Sequence, residues 1–461
     1  ERKKYLDYAC RLWKVSRPTY SNDKDWFFTC RASPFSNSLE KVLHIIRSDE
    51  YPIISFDVFD SLIERPFLRP WDTFEFLSSI YNKRKKTNKY INFAHYRVSA
   101  EINALKRKKA KYPSYSAVNL EEIYAELVAL GLLAPEDAIE FLNLEIKLEK
   151  RFCTARHIGK YLFDFARRCG KRIVCISDMY LSSEVIRGIL EENGFLGIDS
   201  VFVSADERVC KSDGRLFKRA YLKLGVAPNQ ICHIGDNYKT DILMAQSLGM
   251  KAIHITSASD IFMGKNSTFY SGQSFGAIFG DEFDAFGPMD YLGTRCLMGV
   301  AAKKVFNNPF EIFNCESDFD SNPSILGYYV LGTYVFSIAN WLLIEARKQG
   351  YETIHFLARD GLVIKQAYDI LAKNSKQPAP KSNYLHVSRK AMMPFMVNEP
   401  QDVFYLIRSM DILSYTPLKF LEQIRPIIPK IKYDNRRAIL DDNGVLADTT
   451  FQSEDEWNQF L

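Results

Sequence analysis

The sequence predicts an α/β protein built on a doubly wound parallel sheet, with a helical insertion and a further α/β module toward the C-terminus. Three observations predict it. Short apolar runs alternate with amphipathic helical stretches from Lys171 to Ile255, the pattern of successive right-handed βαβ units. An earlier run, Pro52 to Phe56, is apolar on both faces, as in a parallel strand covered by helices on each side. Four short polar segments far apart in the chain each sit at the end of such a run, where ligands bind in open α/β sheets.

Residues 1–50 read as a helix-rich leader, ending in the amphipathic stretch Asn37–Ile46 that feeds the first strand. The core is expected from residues 51–65 and 169–260. Between them, residues 66–168 carry apolar residues at three- and four-residue spacing through Trp71–Ile80, Tyr96–Leu105, Leu120–Leu130 and Ile139–Phe152. Asn119 is placed to cap the third of these stretches. This predicts four or five inserted helices and no strong strand. Strands follow at Arg172–Ile176, Ser200–Val203, Gln230–Ile234 and Lys251–Ile255, with helices at Ser182–Glu192, Arg215–Leu224 and Asp241–Leu248. Residues 260–290, rich in Gly, Phe and Ser, read as a linker, and residues 291–461 as the additional module. In that module Glu352–Leu357 and Tyr384–Val387 are strands, Leu362–Leu371 is a helix, and the remainder is helical with breaks at Pro417, Pro426 and Pro429.

The chain has 461 residues, 14% aromatic, with a net charge of +5, so a packed protein of two or three domains is expected and no nucleic-acid partner is called for. Basic runs such as Lys83–Lys86 and Lys106–Lys109 read as solvated helix faces, with an anionic-lipid or phosphate-rich contact as the functional alternative. Nine scattered cysteines without a CxxC pair suit a reducing compartment, and no signal peptide is seen. The expected location is therefore cytoplasmic, with peripheral association at an inner membrane as an extension. The chain opens on Glu1, as a part of a longer protein would. Ser321–Ile344 is uncharged and long enough to span a bilayer, but its glycines, its proline and Asn340 favour a buried core helix.

The chemistry is expected in the four segments. Asp57, at the end of the first strand in ISFDVFDS, offers one carboxylate oxygen to Mg²⁺ and the other to phosphorus. Asp236 follows a glycine at another strand end, and Asp241 opens the next helix, where it binds the ion through water or orients a ligand. Ser177 offers a hydroxyl to a phosphoryl oxygen. Lys211, in a polar loop before a helix, would neutralise both Asp57 and the phosphate. Ser61, Asp178 and Asn237 lie in the same segments and are expected on the substrate side. In the trailing module, Arg359-Asp360-Gly361 follows a strand and opens a helix, a place for a phosphate, and Ser388-Arg389-Lys390 follows the next strand. Within the insertion Arg97, Glu101, Glu145 and Glu149 are candidates to face the site, with Arg65 near its entrance.

The order FDVFDSL, ISDMYLS, a lone Lys in VCKSDGRLFKRAYLKLG, then HIGDNYKTDILMAQSLGMKAIHI resembles the haloacid-dehalogenase-like hydrolase superfamily over roughly residues 50–258. The inserted helices resemble its helical cap. The resemblance implies Asp57 as nucleophile, Ser177 and Lys211 as phosphate binders, Asp57 and Asp236 as Mg²⁺ ligands, and the carbonyl of Phe59 facing the metal. One departure stands out. Phosphatases of that superfamily usually carry a second Asp two residues after the first as general acid and base. Here that position is Phe59, and the acid appears one place later, at Asp60. General acid–base help is worth about 10²–10⁴-fold. Asp60 substitutes, or the leaving group needs no proton, or the site only binds. The wording FDVFDSL with SDMYLS, FLARDG and YLHVSRKA resembles hydrolase-like proteins of bacterial surface-polysaccharide assembly, often fused to glycosyltransferases. That resemblance implies a phosphorylated sugar or glycan substrate or acceptor. The expected function is a Mg²⁺-dependent phosphohydrolase. The alternatives are a transferase taking a phosphosugar from a donor such as phosphoribosyl diphosphate, and a non-catalytic scaffold.

Overall fold

The computed structural model describes residues 39–85, 91–263, 292–310, 322–388, 416–419 and 436–450, with isolated positions beyond. Most of the expected leader, most of the linker, and Arg389, Lys390, Pro426 and Pro429 lie outside the described residues. The chain divides into two compact units, Glu1–Tyr329 and Val330–Leu461.

The first unit is built on a parallel five-stranded sheet. Its strands are β1 (Ile53–Phe56), β4 (Arg172–Ser177), β5 (Ser200–Val203), β6 (Ile231–Gly235) and β7 (Lys251–His254), in the order β5-β4-β1-β6-β7. β1 is central, pairing with β4 on one side and β6 on the other in parallel register. It is buried along its whole length, which is why it reads as apolar on both faces. Helices α6 (His157–Arg168), α7 (Ser183–Glu192, capped by the Ser182 side chain) and α8 (Arg215–Leu224) follow the expected alternation. Helix α1 (Leu39–Arg47) leads into β1 through buried Val42 and Ile46. The helix expected over 241–248 forms, but it starts earlier, with a π-helical turn over Tyr238–Leu243 that runs into the α-helical Met244–Ser247.

The insertion is four helices: α2 (Asp72–Lys85), α3 (Phe93–Lys111), α4 (Leu120–Ala129) and α5 (Pro135–Phe152). Asn119 caps α4 in a reciprocal box with Glu122, as its position predicted. The insertion joins the core through a two-residue antiparallel ladder, β2 (Ile63–Glu64) with β3 (Thr154–Ala155), which the helical periodicity of the region did not signal. A later helix, α9 (Leu292–Val305), belongs to this first unit. Its Arg295 makes a buried ion pair with Asp72 at the start of α2, 3.0 Å apart. The boundary expected at residue 291 therefore falls after residue 329.

The second unit contains α10 (Gly332–Lys348), β8 (Thr353–Leu357), α11 (Gly361–Asn374) and β9 (Lys381–Leu385), with β8 and β9 parallel. Its described core gathers Ala339, Leu343, Phe356 and Tyr368. The buried helix expected over 321–344 is not what forms. Only Ala339, Leu343 and Ala346 of α10 are buried, while Tyr334, Trp341 and Ile344 are exposed. Among the described residues no helix is long and apolar enough to cross a membrane.

Candidate active site

Asp57 follows the last residue of β1, and its backbone N–H donates to the Ile234 carbonyl of β6 (2.8 Å). That bond continues the parallel ladder one step and sets the carboxylate at the carboxyl edge of the sheet beside the end of β6. There Gly235 and Asp236 follow. A Cβ at Gly235 would lie 2.5 Å from the Asp241 carboxylate, so any larger residue would have to displace it. Glycine at this strand end thus brings Asp241 back over the sheet. One carboxylate oxygen from each of Asp57, Asp236 and Asp241 lies within 4.8 Å of the others.

Lys211 enters from the loop before α8. Its ammonium donates to Asp57 Oδ1 at 2.5 Å and Asp241 Oδ1 at 2.6 Å, and the lysine is buried. Its own backbone N–H is held by both Asp178 oxygens (2.9 and 3.0 Å). Asp178 thus anchors the loop that carries the lysine. Asp241 uses its other oxygen on the Asn237 backbone N–H (3.0 Å). With both oxygens hydrogen-bonded, Asp241 positions Lys211 and still offers an oxygen to the group formed with Asp57 and Asp236. Ser61 donates to Asp236 Oδ1 (3.1 Å), orienting that carboxylate. Ser177 ends β4, buried beside this group.

The electrostatics follow from crowding. Burial pushes Asp57 up to about 7, with Asp241 adding to the rise and Lys211 opposing it. Burial raises Asp236 well above the carboxylate range, helped by repulsion from Asp57, Asp60 and Asp241. For Asp241, burial acts upward, but the Lys211 ammonium and the His233 ring together outweigh it and hold the group below its usual range. Three acids crowded around one lysine raise the proton affinity of Asp57 and Asp236, and a divalent cation bound there would take the place of those protons.

Asp60 sits in the left-handed region (φ 55°) and turns its carboxylate to the Lys303 ammonium of α9 (3.0 Å). Burial works to raise its pKa, but Lys303, with Arg65 and Arg156, outweighs burial and holds it below the usual range. An ionised Asp60 has no proton to give a leaving group, so the substitution for the absent acid expected of it is not favoured. Phe59, in the position of that acid, packs its ring under the Arg65 guanidinium, 4.2 Å from the ring centre.

The insertion's charged candidates turn out to be paired inside it. Arg97 is fully buried, forked onto Glu145 (2.9 and 2.8 Å) and reaching Glu101 (3.1 Å). Arg65 pairs with Glu149 (2.8 Å). They serve architecture, although Arg97 also lies 4.5 Å from the centre of the Tyr180 ring, beside the Ser177–Asp178 loop. Asn237 spends its carboxamide oxygen capping the Tyr238 turn, on the N–H groups of Lys239 and Thr240 (both 3.1 Å). Arg359 and Asp360 stand exposed at the β8–α11 turn of the second unit.

Three residues of the site were not anticipated. His233, in β6, is fully buried and bridges Ser55 (2.8 Å) and Asp241 (3.4 Å). Burial lowers its pKa, so it is a neutral strut below Asp241. Arg156 is fully buried and donates to the carbonyls of Asp60 (2.5 Å), Ile255 (3.0 Å), Thr256 (2.6 Å) and Asn307 (3.2 Å), pinning the loop after β1. Lys303 is the third. The only signal available in the sequence was HIGD itself for His233; the other two act over long separations.

Comparison with known proteins places these residues in context. Residues 209–260, which include Lys211, Asp236 and Asp241, match a family model described as HAD-hydrolase-like. A haloacid dehalogenase-like hydrolase domain-containing protein 3 of Danio rerio is 39% identical over 67 residues, 14% of this chain and 28% of that protein's length. Similar solved structures include the L-2-haloacid dehalogenase PA0810 (16% identity, 49% of this chain and 92% of that one, TM-score 0.34). A HAD phosphatase from Thermococcus onnurineus is another (20% identity, 44% and 86%, TM-score 0.32).

Proposed function

We propose that this chain, whose core is haloacid-dehalogenase-like, is a hydrolase that removes a phosphoryl group from a phosphorylated sugar or a glycan-linked phosphate. The observation that carries the reading is the convergence of Asp57 and Asp236 beside the Asp57–Lys211–Asp241 bridge. The sugar class, a place in surface-polysaccharide assembly beside glycosyltransferases, and a station near a membrane face rest on the motif wording described above.

In this reading Asp57 and Asp236, with Asp241 beside them, would hold Mg²⁺, and the Phe59 carbonyl would join them by resemblance. When bound, the ion neutralises the phosphate and draws charge from its oxygens. An Asp57 carboxylate oxygen attacks phosphorus, and the bond from phosphorus to the leaving oxygen breaks. Lys211 faces the charge that builds on the phosphoryl oxygens, and the Ser177 hydroxyl donates to one of them. Water then attacks the phosphorus of the phosphoaspartate, inorganic phosphate leaves, and the Asp57 carboxylate is restored. The leaving oxygen takes its proton from water, since Asp60 is held ionised by Lys303.

That last point supports a second reading. A diphosphate departs without a proton, so transfer of a phosphosugar from a diphosphate donor to a glycan suits an ionised Asp60 as well as Phe59. Phosphate release from a panel of sugar phosphates supports hydrolysis. Diphosphate release that requires a glycan acceptor supports transfer. Neither activity with either substrate set contradicts both.

Cation binding has its own expected result. Ligation needs deprotonated carboxylates. Asp57 holds its proton to about pH 7 without an ion, and Asp236 holds its own well above the usual range. Each pH unit below a ligand's pKa costs about 1.4 kcal/mol of binding per proton displaced. Thermal shifts in Mg²⁺ should therefore be clearly larger at pH 8 than at pH 6. A Mg²⁺ shift equal at the two values, or none at either, counts against a site built on these two acids.

A further inference from the structure

The two chain segments that join the helical insertion to the core run side by side as the β2–β3 ladder, Ile63 opposite Ala155 and Glu64 opposite Thr154. Helix α9 lies against them. A Cβ at its Gly299 would come within 2.6 Å of the Pro66 carbonyl oxygen, so the contact is backbone to helix surface. Beyond the helix end, the Asn307 side chain accepts from the Ile158 N–H (3.1 Å) and donates to Glu64 (3.4 Å). Between these elements is a cavity of about 920 Å³, in the size range of small-molecule sites. Both linkers wall it, from Glu64 to Pro66 and from Arg151 to Ala155, together with the start of α6 and the end of α9. None of Asp57, Ser177, Lys211, Asp236 or Asp241 lines it; what it shares with the site above is Lys303, which turns to Asp60, and Arg65, which covers Phe59.

Its chemistry is two-sided. Phe152, Ile158, Tyr161 and Val300 give it apolar walls. Arg65, Arg151, Lys303 and Lys304 line it with basic groups, and Glu64 is the one carboxyl group among its lining residues. Arg65 is engaged by Glu149 and Lys303 by Asp60. Arg151 and Lys304 are exposed and have no ion pair among the described residues. Such a lining selects a compact organic anion, its apolar body against the walls and its charged group at Arg151 and Lys304.

We propose that this cavity is a second ligand site, for an organic anion with an apolar body, and that its occupant clamps the two linkers and so fixes the insertion against the core. A ligand touching both linkers favours the one linker arrangement that presents all its contacts, and shifts the population toward it. The site does not depend on the catalytic reading. The clamp acts on whatever chemistry the carboxylate centre performs.

The test uses the full chain and 8-anilinonaphthalene-1-sulfonate, an anionic aromatic that suits the walls and the cations. Fluorescence titration should give one saturable site in the unaltered chain. Affinity should fall at least tenfold in R151E/K304E, two exposed positions whose reversal leaves the core intact, and stay unchanged in D57N. Hydrogen exchange at residues 62–66 and 151–156 should slow when the probe binds the unaltered chain, and not in R151E/K304E. Binding undiminished by the charge reversal is adsorption on exposed apolar surface and overturns the proposal. So does binding that leaves linker exchange unchanged. Loss of binding in D57N would place the probe at the carboxylate centre and overturn it as well.

Discussion

Replacing Asp57 by asparagine is expected to remove phosphate release altogether, by on the order of 10⁴-fold or more in kcat, as losses of a covalent nucleophile do. The change is nearly isosteric, and the surroundings explain why its effect should be chemical. Asp57 is anchored by its backbone N–H to Ile234, a bond the substitution leaves in place. Its side chain accepts from Lys211, which keeps Asp241 as a second partner. An amide oxygen still accepts that hydrogen bond but neither attacks phosphorus nor carries charge to a cation. Asp57→Asn should therefore be folded, with a Tm within a few degrees of the unaltered chain or above it, because a buried carboxyl pushed up to about 7 is replaced by a neutral group. Steady-state phosphate release and a melting curve on the same preparation decide it. A variant that keeps a tenth or more of the activity removes Asp57 from the role of nucleophile.

Replacing Lys211 by methionine should have the largest effect on stability. The lysine is buried between two carboxylates, and truncating one member of a buried ionic group costs about 3–5 kcal/mol because the remaining charges are left unpaired. Methionine fills much of the same space, so the loss is electrostatic rather than a cavity. The pH dependence identifies the cause. Asp241 is held below its usual range chiefly by Lys211 acting against burial, so it contributes stability above the unfolded carboxylate pKa that disappears as pH falls through the folded one. Lys211 itself is raised against burial by Asp241 and Asp57, so its contribution is complete below the unfolded lysine pKa of about 10.4. The difference between the unaltered chain and Lys211→Met should be largest near pH 8, where Asp57 and Asp241 are both charged, fall as pH drops through about 7, where Asp57 takes its proton, and fall further below the unfolded carboxylate pKa of about 3.9 as the Asp241 contribution is lost. Denaturant unfolding at pH 4 and pH 8 measures it. An equal loss at both values would mean that packing, not charge, holds the lysine.

The parts of this site that could be read in the sequence are those whose signal is local. β1, β4 and β6 are buried on both faces, and an apolar run ending in a polar residue marks both the strand and the edge where Asp57, Ser177 and Asp236 stand. Asn119 with Glu122 three residues on is a local cap signal, and α4 begins where it says. The residues that escaped act at a distance. Arg156 reaches Ile255, Thr256 and Asn307, and Lys303 reaches Asp60 across 243 positions, with nothing near either one to announce a partner. The acidic and basic residues of the insertion show the converse. Periodicity places Arg97 and Glu145 on helices, but only the tertiary arrangement of the insertion decides that they face each other rather than the site. The 321–344 stretch misled because composition alone does not say which apolar faces find a covering layer.

A structure determined with Mg²⁺ and trifluoroberyllate, which imitates a phosphorylated carboxylate, tests the central claim directly. The account predicts beryllium bonded to an Asp57 oxygen, Lys211 and Ser177 on its fluorines, and one Mg²⁺ shared by Asp57 and Asp236. Beryllium on any other carboxylate, or Mg²⁺ ligated without Asp57 and Asp236 together, would contradict it.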